Sequence, residues 1–446
     1  MAARGTGGAA RSSAGSRGPL VAWLVVLGVL LALGGGLASC VASETGHMPG
    51  DSMERVWDTP YDKPAAPYGN AAWLVGDTVV RSRFDAVTGF DARTGARRWE
   101  YAVPGRAEIC ATSGGGAATG DTADAVALIG LMDPGAGGQA RRAGKGCATV
   151  AAIDLKTGRE LWRTTRTPGD TDPEDATDVL ATGSGLAVLR DEDAQWDEDP
   201  GRRTRPALPG DRALRAFDPR TGAPRWKAAV PEGCVPRAVA VAPERVLAAL
   251  RCATEAKLAA FDPATGKELW TTALGARRPV DPKAVVSFLS AEPTVLMVQD
   301  AVPHGLHAFV GFGADGRRQG EFQLGGGAQA AADGKVFDSS GSGVTAVDPA
   351  TGKELWTSES WGSWREATAM HAGGGRVSVF TRSRKGLDEL YVFDAATGEE
   401  VDRRTFDRDT DDGNEELAGL FRHEDLWIAA RWSQGGQRPF SAYRTW

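Results

Sequence analysis

Three kinds of residue in this chain are capable of chemistry: five cysteines, five histidines and several closely spaced carboxylates. Redox or metal-binding thiols come side by side or in CxxC pairs, and Cys40, Cys110, Cys147, Cys234 and Cys252 do neither. Of His47, His304, His307, His371 and His423, only His304 and His307 are close, and no HExxH accompanies them, so they read as polar surface. Carboxylates crowd into three runs, Asp170 to Asp178, Asp191 to Asp199, and Asp407 to Glu416. In the third, Asp407, Asp409 and Asp411 alternate as in a calcium loop, but the glycine comes one place late at Gly413 and Ala418 stands where a bidentate glutamate belongs. The glycine clusters Gly114 to Gly116 and Gly325 to Gly327 lack the lysine and strand-to-helix setting of a phosphate loop, and read as turns. No residue set here is assigned a catalytic role.

The first forty residues set the compartment. Arg4, Arg11 and Arg17 precede an apolar run from Leu20 to Leu33, three glycines and Leu37-Ala38-Ser39-Cys40, the three regions of an export signal. The last four residues look like a bacterial lipobox, which makes Cys40 the expected lipid anchor. The alternative is an uncleaved transmembrane anchor, since Leu20 to Ser39 is long enough to span a bilayer. Either reading puts the body at the cell membrane on its extracytoplasmic side, with residues 1–40 as signal or anchor, 41–52 as linker and 53–446 as the folded domain. Removing residues 1–39 takes away those three arginines and no acid, moving the net charge from -7 to -10 and arguing against a nucleic-acid partner. Four cysteines remain after Cys40, an even number in an oxidising compartment, which suggests two disulfides among three possible connectivities.

The elements that must position these residues come from a repeat. Phe90-Asp91-Ala92-Arg93-Thr94-Gly95 with Trp99 recurs as Ile153-Asp154-Leu155-Lys156-Thr157-Gly158 with Trp162 and as Phe217-Asp218-Pro219-Arg220-Thr221-Gly222 with Trp226. It recurs again as Phe261-Asp262-Pro263-Ala264-Thr265-Gly266 with Trp270 and as Val347-Asp348-Pro349-Ala350-Thr351-Gly352 with Trp356. Phe393-Asp394-Ala395-Ala396-Thr397-Gly398 closes the set without a tryptophan. Each copy reads as strand, tight turn, strand: Asp caps turn amides, Pro suits the second turn position, and Gly takes the left-handed conformation. The repeated indole is suited to filling the gap between adjacent sheets.

Spacing sets the unit. Asp218 to Asp262 is 44 residues and Asp348 to Asp394 is 46, the period of a four-stranded propeller blade, whereas the 63 and 64 residues from Asp91 to Asp154 to Asp218 imply loop insertions. The 86 residues from Asp262 to Asp348 span two blades, with a worn copy at Phe312-Gly313-Ala314-Asp315-Gly316 and Phe322 expected to replace the tryptophan. Glu54-Arg55-Val56-Trp57-Asp58 resembles a last strand without its blade, and Phe440 to Arg444 a third strand without its successor. The two ends can therefore complete one blade, hiding both sheet edges. The sequence predicts an all-β, eight-bladed propeller, with seven blades as the alternative.

These copies resemble the PQQ-like, tryptophan-docking repeat of quinoprotein alcohol dehydrogenases and of the outer-membrane assembly lipoprotein of Gram-negative bacteria, over about residues 50–446. The resemblance implies the propeller fold and leaves function open between enzyme and scaffold. The quinoprotein enzymes carry adjacent cysteines over the cofactor, a calcium held by carboxylate and amide side chains, and an Asp base. Neither the cysteine pair nor an assignable calcium set is present here, so no cofactor is expected and PQQ and calcium are both disfavoured.

Propeller topology then assigns loops to faces. The Asp-to-Gly turns share one face with the first hairpin turn of each blade, while the blade-to-blade links and second-to-third-strand loops lie on the other, together with all three acidic runs. Convergence there suggests a basic ligand, a metal or a protein partner. The same topology pairs Cys110 with Cys147 and Cys234 with Cys252, each within one blade. The function expected is a non-catalytic scaffold for an envelope or membrane protein or a cell-wall component. A ligand-binding sensory module is the alternative, and a quinone-dependent oxidoreductase stands third.

Overall fold

The computed structural model describes residues 52–62, 66, 68–114, 125–132, 147, 149–165, 179–192, 212–302, 304–323, 327–339, 343–358, 361, 365–383, 387–407, 417–431 and 438–444. Residues 53–446 form one compact unit. Its described residues are built from β-strands grouped into eight antiparallel four-stranded sheets arranged as a ring, so the count is eight and the seven-bladed alternative is set aside. The strands of blades 1 to 7 fall within residues 71–102, 108–165, 180–229, 235–273, 285–323, 329–357 and 365–407, each blade pairing its four strands in sequence order. From blade 2 to blade 8 the first strand of each blade touches that of the next, which puts the first strands at the centre and the fourth at the rim.

The eighth blade is made from both ends of the domain. Strands Leu417–His423, Leu426–Arg431 and Phe440–Arg444 are followed across the sheet by Glu54–Asp58, with Trp57 opposite Ala442 and Asp58 opposite Ser441. Thr59 extends this seam, donating its N–H and hydroxyl to the Phe440 carbonyl, both at 3.0 Å. An antiparallel strand from the far end of the chain satisfies the backbone groups that the last blade would otherwise expose.

Burial follows the two-residue period of strands, but both faces are apolar. In Arg245–Arg251 of blade 4, Val246, Ala248 and Leu250 pack toward blade 3 while Leu247 and Ala249 pack toward blade 5. Val126–Met132 of blade 2 is buried along its whole length for the same reason. Each of the eight junctions between neighbouring blades holds its own apolar cluster, the last joining Trp57, Phe421, Ile428 and Phe440 of blade 8 to Val79 and Phe90 of blade 1. Stability is thus distributed around a closed ring, with no terminal repeat left to cap.

Candidate functional site

The turn between third and fourth strands is a hydrogen-bonded cup. In blade 4 Asp262 Oδ1 accepts from Ala264 N at 3.2 Å, Thr265 N at 2.8 Å and the Thr265 hydroxyl at 2.6 Å, while Gly266 N donates to the Asp262 carbonyl at 2.8 Å. The motif threonine, whose role is not legible from the sequence, closes the cup: its Oγ1 accepts from Lys267 N at 3.3 Å. The same arrangement recurs at Asp91, Asp218 and Asp394. These bonds hold the carboxyls below the ordinary range. At Asp218 the Thr221 N–H, then the Arg225 guanidinium and the Thr221 hydroxyl bring it down to about 2.

Gly266 has φ +72°, and a Cβ built on it would lie 2.7 Å from the indole of Trp226 in the preceding blade. The turn glycine therefore serves two ends: it permits the left-handed backbone and leaves a flat seat for a tryptophan. The rule holds around the ring, with Trp57 on Gly95, Trp99 on Gly158, Trp162 on Gly222, Trp270 on Gly316 and Trp356 on Gly398. Four of these indoles also donate Nε1–H to a turn carbonyl: Trp162 to Pro219 and Trp226 to Pro263 at 2.8 Å, Trp270 to Ala314 at 2.9 Å, and Trp356 to Ala395 at 3.2 Å. The buried Nε1 of Trp57 and of Trp99 has no hydrogen-bond partner among the described residues.

Two blades depart from this rule. In blade 5 the position of the tryptophan is taken by Gly320, whose backbone N–H donates to the Pro349 carbonyl at 3.1 Å in place of an indole. Phe322, expected to substitute for the tryptophan, acts from two residues further on, stacking on Phe309 at 5.2 Å and filling the gap beside Val336 and Val347 of blade 6. Blade 7 carries Asp402 at this position, and in the neighbouring blade 8 the third strand, Phe440–Arg444, and the fourth, Glu54–Asp58, are not joined by a turn.

Cys110 is bonded to Cys147, and Cys234 to Cys252. Cys234 and Cys252 flank adjacent strands of blade 4. Cys110 lies inside the first strand of blade 2 and Cys147 just before the third, so their bond passes over Gly130 of the second, where a Cβ would come within 2.7 Å of the Cys147 Cβ. The turn aspartates, tryptophans and all four body cysteines are thus engaged inside the fold.

The remaining polar candidates disperse. His371 lies between blades 7 and 8, edge-on to Trp427 at 5.6 Å; burial, then the nearby Arg422 charge, lowers its pKa. His423 sits 3.4 Å from Asp77 at the junction of blades 8 and 1. His304 and His307 are exposed at one end of blade 5. Gly114 has φ +81° and a Cβ on Gly327 would strike the Ser339 carbonyl, while the other members of those two glycine clusters, like His47 and the expected lipid anchor Cys40, lie outside the described residues. Asp407 ends the fourth strand of blade 7, and Asp409 and Asp411 lie outside the described residues. Among the described residues no three His, Cys, Asp or Glu side chains converge as a metal site.

Of the other two acidic runs, only Asp191 has a described side chain. It is buried and paired with Arg215 at 3.1 Å and Lys227 at 3.7 Å, so its charge is spent within blade 3. An opposite feature lies in the link between blades 4 and 5, where the cations Arg277, Arg278 and Lys283 are all exposed. Its signal in the sequence is a basic pair with no acid beside it.

The family described as outer membrane protein assembly factor BamB matches residues 51–195, 210–300 and 312–415. Among solved structures, BamB from Moraxella catarrhalis is 16% identical, with 88% of this chain and 99% of that one covered and a TM-score of 0.48. A quinohemoprotein alcohol dehydrogenase from Pseudomonas putida HK5 is 12% identical, with 88% and 76% covered and a TM-score of 0.50, a likeness of fold. No curated protein matches the chain.

Proposed function

The chain belongs to the family described as outer membrane protein assembly factor BamB, and from that premise we propose that it is a non-catalytic, membrane-tethered scaffold that holds an envelope protein on one propeller face. The observation that carries this reading is the family match itself, which runs across most of the propeller. The use of the chain's reactive residues supports it. The four body cysteines form two bonds inside single blades, and no adjacent cysteine pair exists to lie over a quinone. The repeated tryptophans are occupied as docks between blades. We propose the N-terminus as the tether, with Cys40 lipidated, and the extracytoplasmic side of the membrane as the location. No cofactor is part of this proposal.

Purification of the full chain from its native membrane tests the reading. A protein partner in near-stoichiometric amount, with no absorbance beyond the aromatic band, is the expected result. A retained quinone chromophore with alcohol-oxidising activity would overturn it.

A further inference from the structure

One end of blade 5 differs from the rest of the described surface. The link from blade 4 is pinned at both ends by buried Leu274 and Val280, leaving Ala276, Arg277, Arg278 and Pro279 exposed between them. The loop between the second and third strands of blade 5 lies beside it. Buried Asp300 bolts the two together, accepting from Asp281 N at 3.3 Å on the link and from Val302 N and Leu306 N at 3.4 Å on its own loop. Arg278 donates to the carbonyl of His304, which is held at φ +58°, a conformation uncommon for a residue with a side chain. Below the loops, Val285, Gln299 and His307 stand opposite one another on three successive strands, all exposed. Val285 is 58% and Val302 40% exposed, among the most open large apolar side chains described.

Three exposed cations cluster on this one link. Arginines on the outer strands are paired locally, Arg97 with Glu100, Arg163 with Glu160 and Arg403 with Glu400. Arg277, Arg278 and Lys283 have no ion-pair partner among the described residues. The two carboxylates beneath them are turned to backbone: Asp300 as above, and Asp281 to the Lys283 N–H at 2.7 Å. An otherwise acidic protein thus presents a hydrogen-bonded cationic rim beside a small floor of valine, glutamine and histidine side chains.

We propose that this end of blade 5 is a docking surface for an acidic segment of a protein partner, one that alternates carboxylates with small apolar side chains. The carboxylates would meet Arg277, Arg278 and Lys283, and the apolar groups would cover Val285 and Val302. Fixed loops lower the ordering cost of such binding, and charge complementarity selects the partner and speeds encounter. A lipid surface fits less well, because membrane-binding patches combine larger Lys/Arg clusters with aromatic side chains at the interface, and this floor has neither. The inference rests on the scaffold reading and names the chemistry of the partner.

The test uses the full chain in detergent and a fluorescent peptide alternating glutamate and valine, followed by anisotropy at low and high salt. Reversal of all three cations (Arg277→Glu, Arg278→Glu, Lys283→Glu) is expected to weaken binding about tenfold or more. The pair Arg277→Glu and Lys283→Glu, which keeps the Arg278 contact to His304, is expected to weaken it by several-fold. Reversal of Arg159, Lys267 and Lys353, exposed beside the turns on the other face, should leave it within about twofold. No binding by the wild-type chain, or binding indifferent to the blade 5 reversals, overturns the proposal. So does binding of phosphatidylglycerol vesicles in place of the peptide, which would assign the surface to a membrane. A native partner retained by the triple variant would sink this surface and leave the scaffold standing; peptide binding without any native partner would do the reverse.

Discussion

Two tryptophans that look alike in the repeat should respond differently to the same substitution. Trp226 lies on Gly266 and donates to the Pro263 carbonyl at 2.8 Å, whereas Trp99 lies on Gly158 with its buried Nε1 unpartnered. Replacing either by phenylalanine removes similar ring area, costing about 1–2 kcal/mol in lost contact. Trp226→Phe additionally loses a hydrogen bond worth about 1 kcal/mol. Trp99→Phe instead removes a buried donor with no acceptor among the described residues, recovering roughly 1–3 kcal/mol of desolvation cost. Trp226→Phe is therefore expected to be the more destabilising by about 2–4 kcal/mol. Urea unfolding of the full chain, followed by far-UV circular dichroism, reads this as a lower midpoint for Trp226→Phe. Equal midpoints, or a larger loss for Trp99→Phe, would refute the assignment of the indole hydrogen bond as part of the dock.

Gly130→Ala should both overpack blade 2, by about 1–3 kcal/mol, and hinder the Cys110–Cys147 bond, whose 37-residue separation corresponds to roughly 3–4 kcal/mol of loop entropy. Alkylation after non-reducing purification should find free thiols in the variant and none in the wild type. His371 has a lowered pKa through burial and the Arg422 charge, so below its ordinary value of 6.5 the unfolded chain binds a proton that the folded chain resists. Thermal stability should fall as the pH drops through 6.5, and His371→Phe should flatten that slope between pH 7 and 5. Asp218, lowered to about 2, contributes stability that is complete above 3.8 and lost as the pH falls toward 2. The gap in melting temperature between wild type and Asp218→Asn should close over that window.

The repeat made the ring legible because its turn residues are under local constraint: Asp, Thr and Gly bond or pack within a few residues of one another. What lies across a junction was less legible. Whether a blade keeps its tryptophan depends on its neighbour, and so Gly320 could stand in through its backbone and Asp402 could face a blade with no turn to receive an indole. The pairing of Asp191 was hidden by the same kind of distance. Asp191 reads as surface charge in sequence, yet its cations, Arg215 and Lys227, come from the next two strands of its own sheet. Arg277 and Arg278 were visible as a basic pair, but their exposure on a fixed platform depends on Asp300, over twenty residues away.

The most direct test of the scaffold assignment is photo-crosslinking in the native cell from single sites on opposite faces, with the photoreactive residue at Gln299 beside the blade-to-blade links or at Lys267 beside the Asp-to-Gly turns. The account predicts one discrete envelope-protein adduct from the Gln299 position and none from Lys267. Absence of any protein adduct from either face, in cells whose purified protein carries a bound small molecule that it oxidises or reduces, would contradict it.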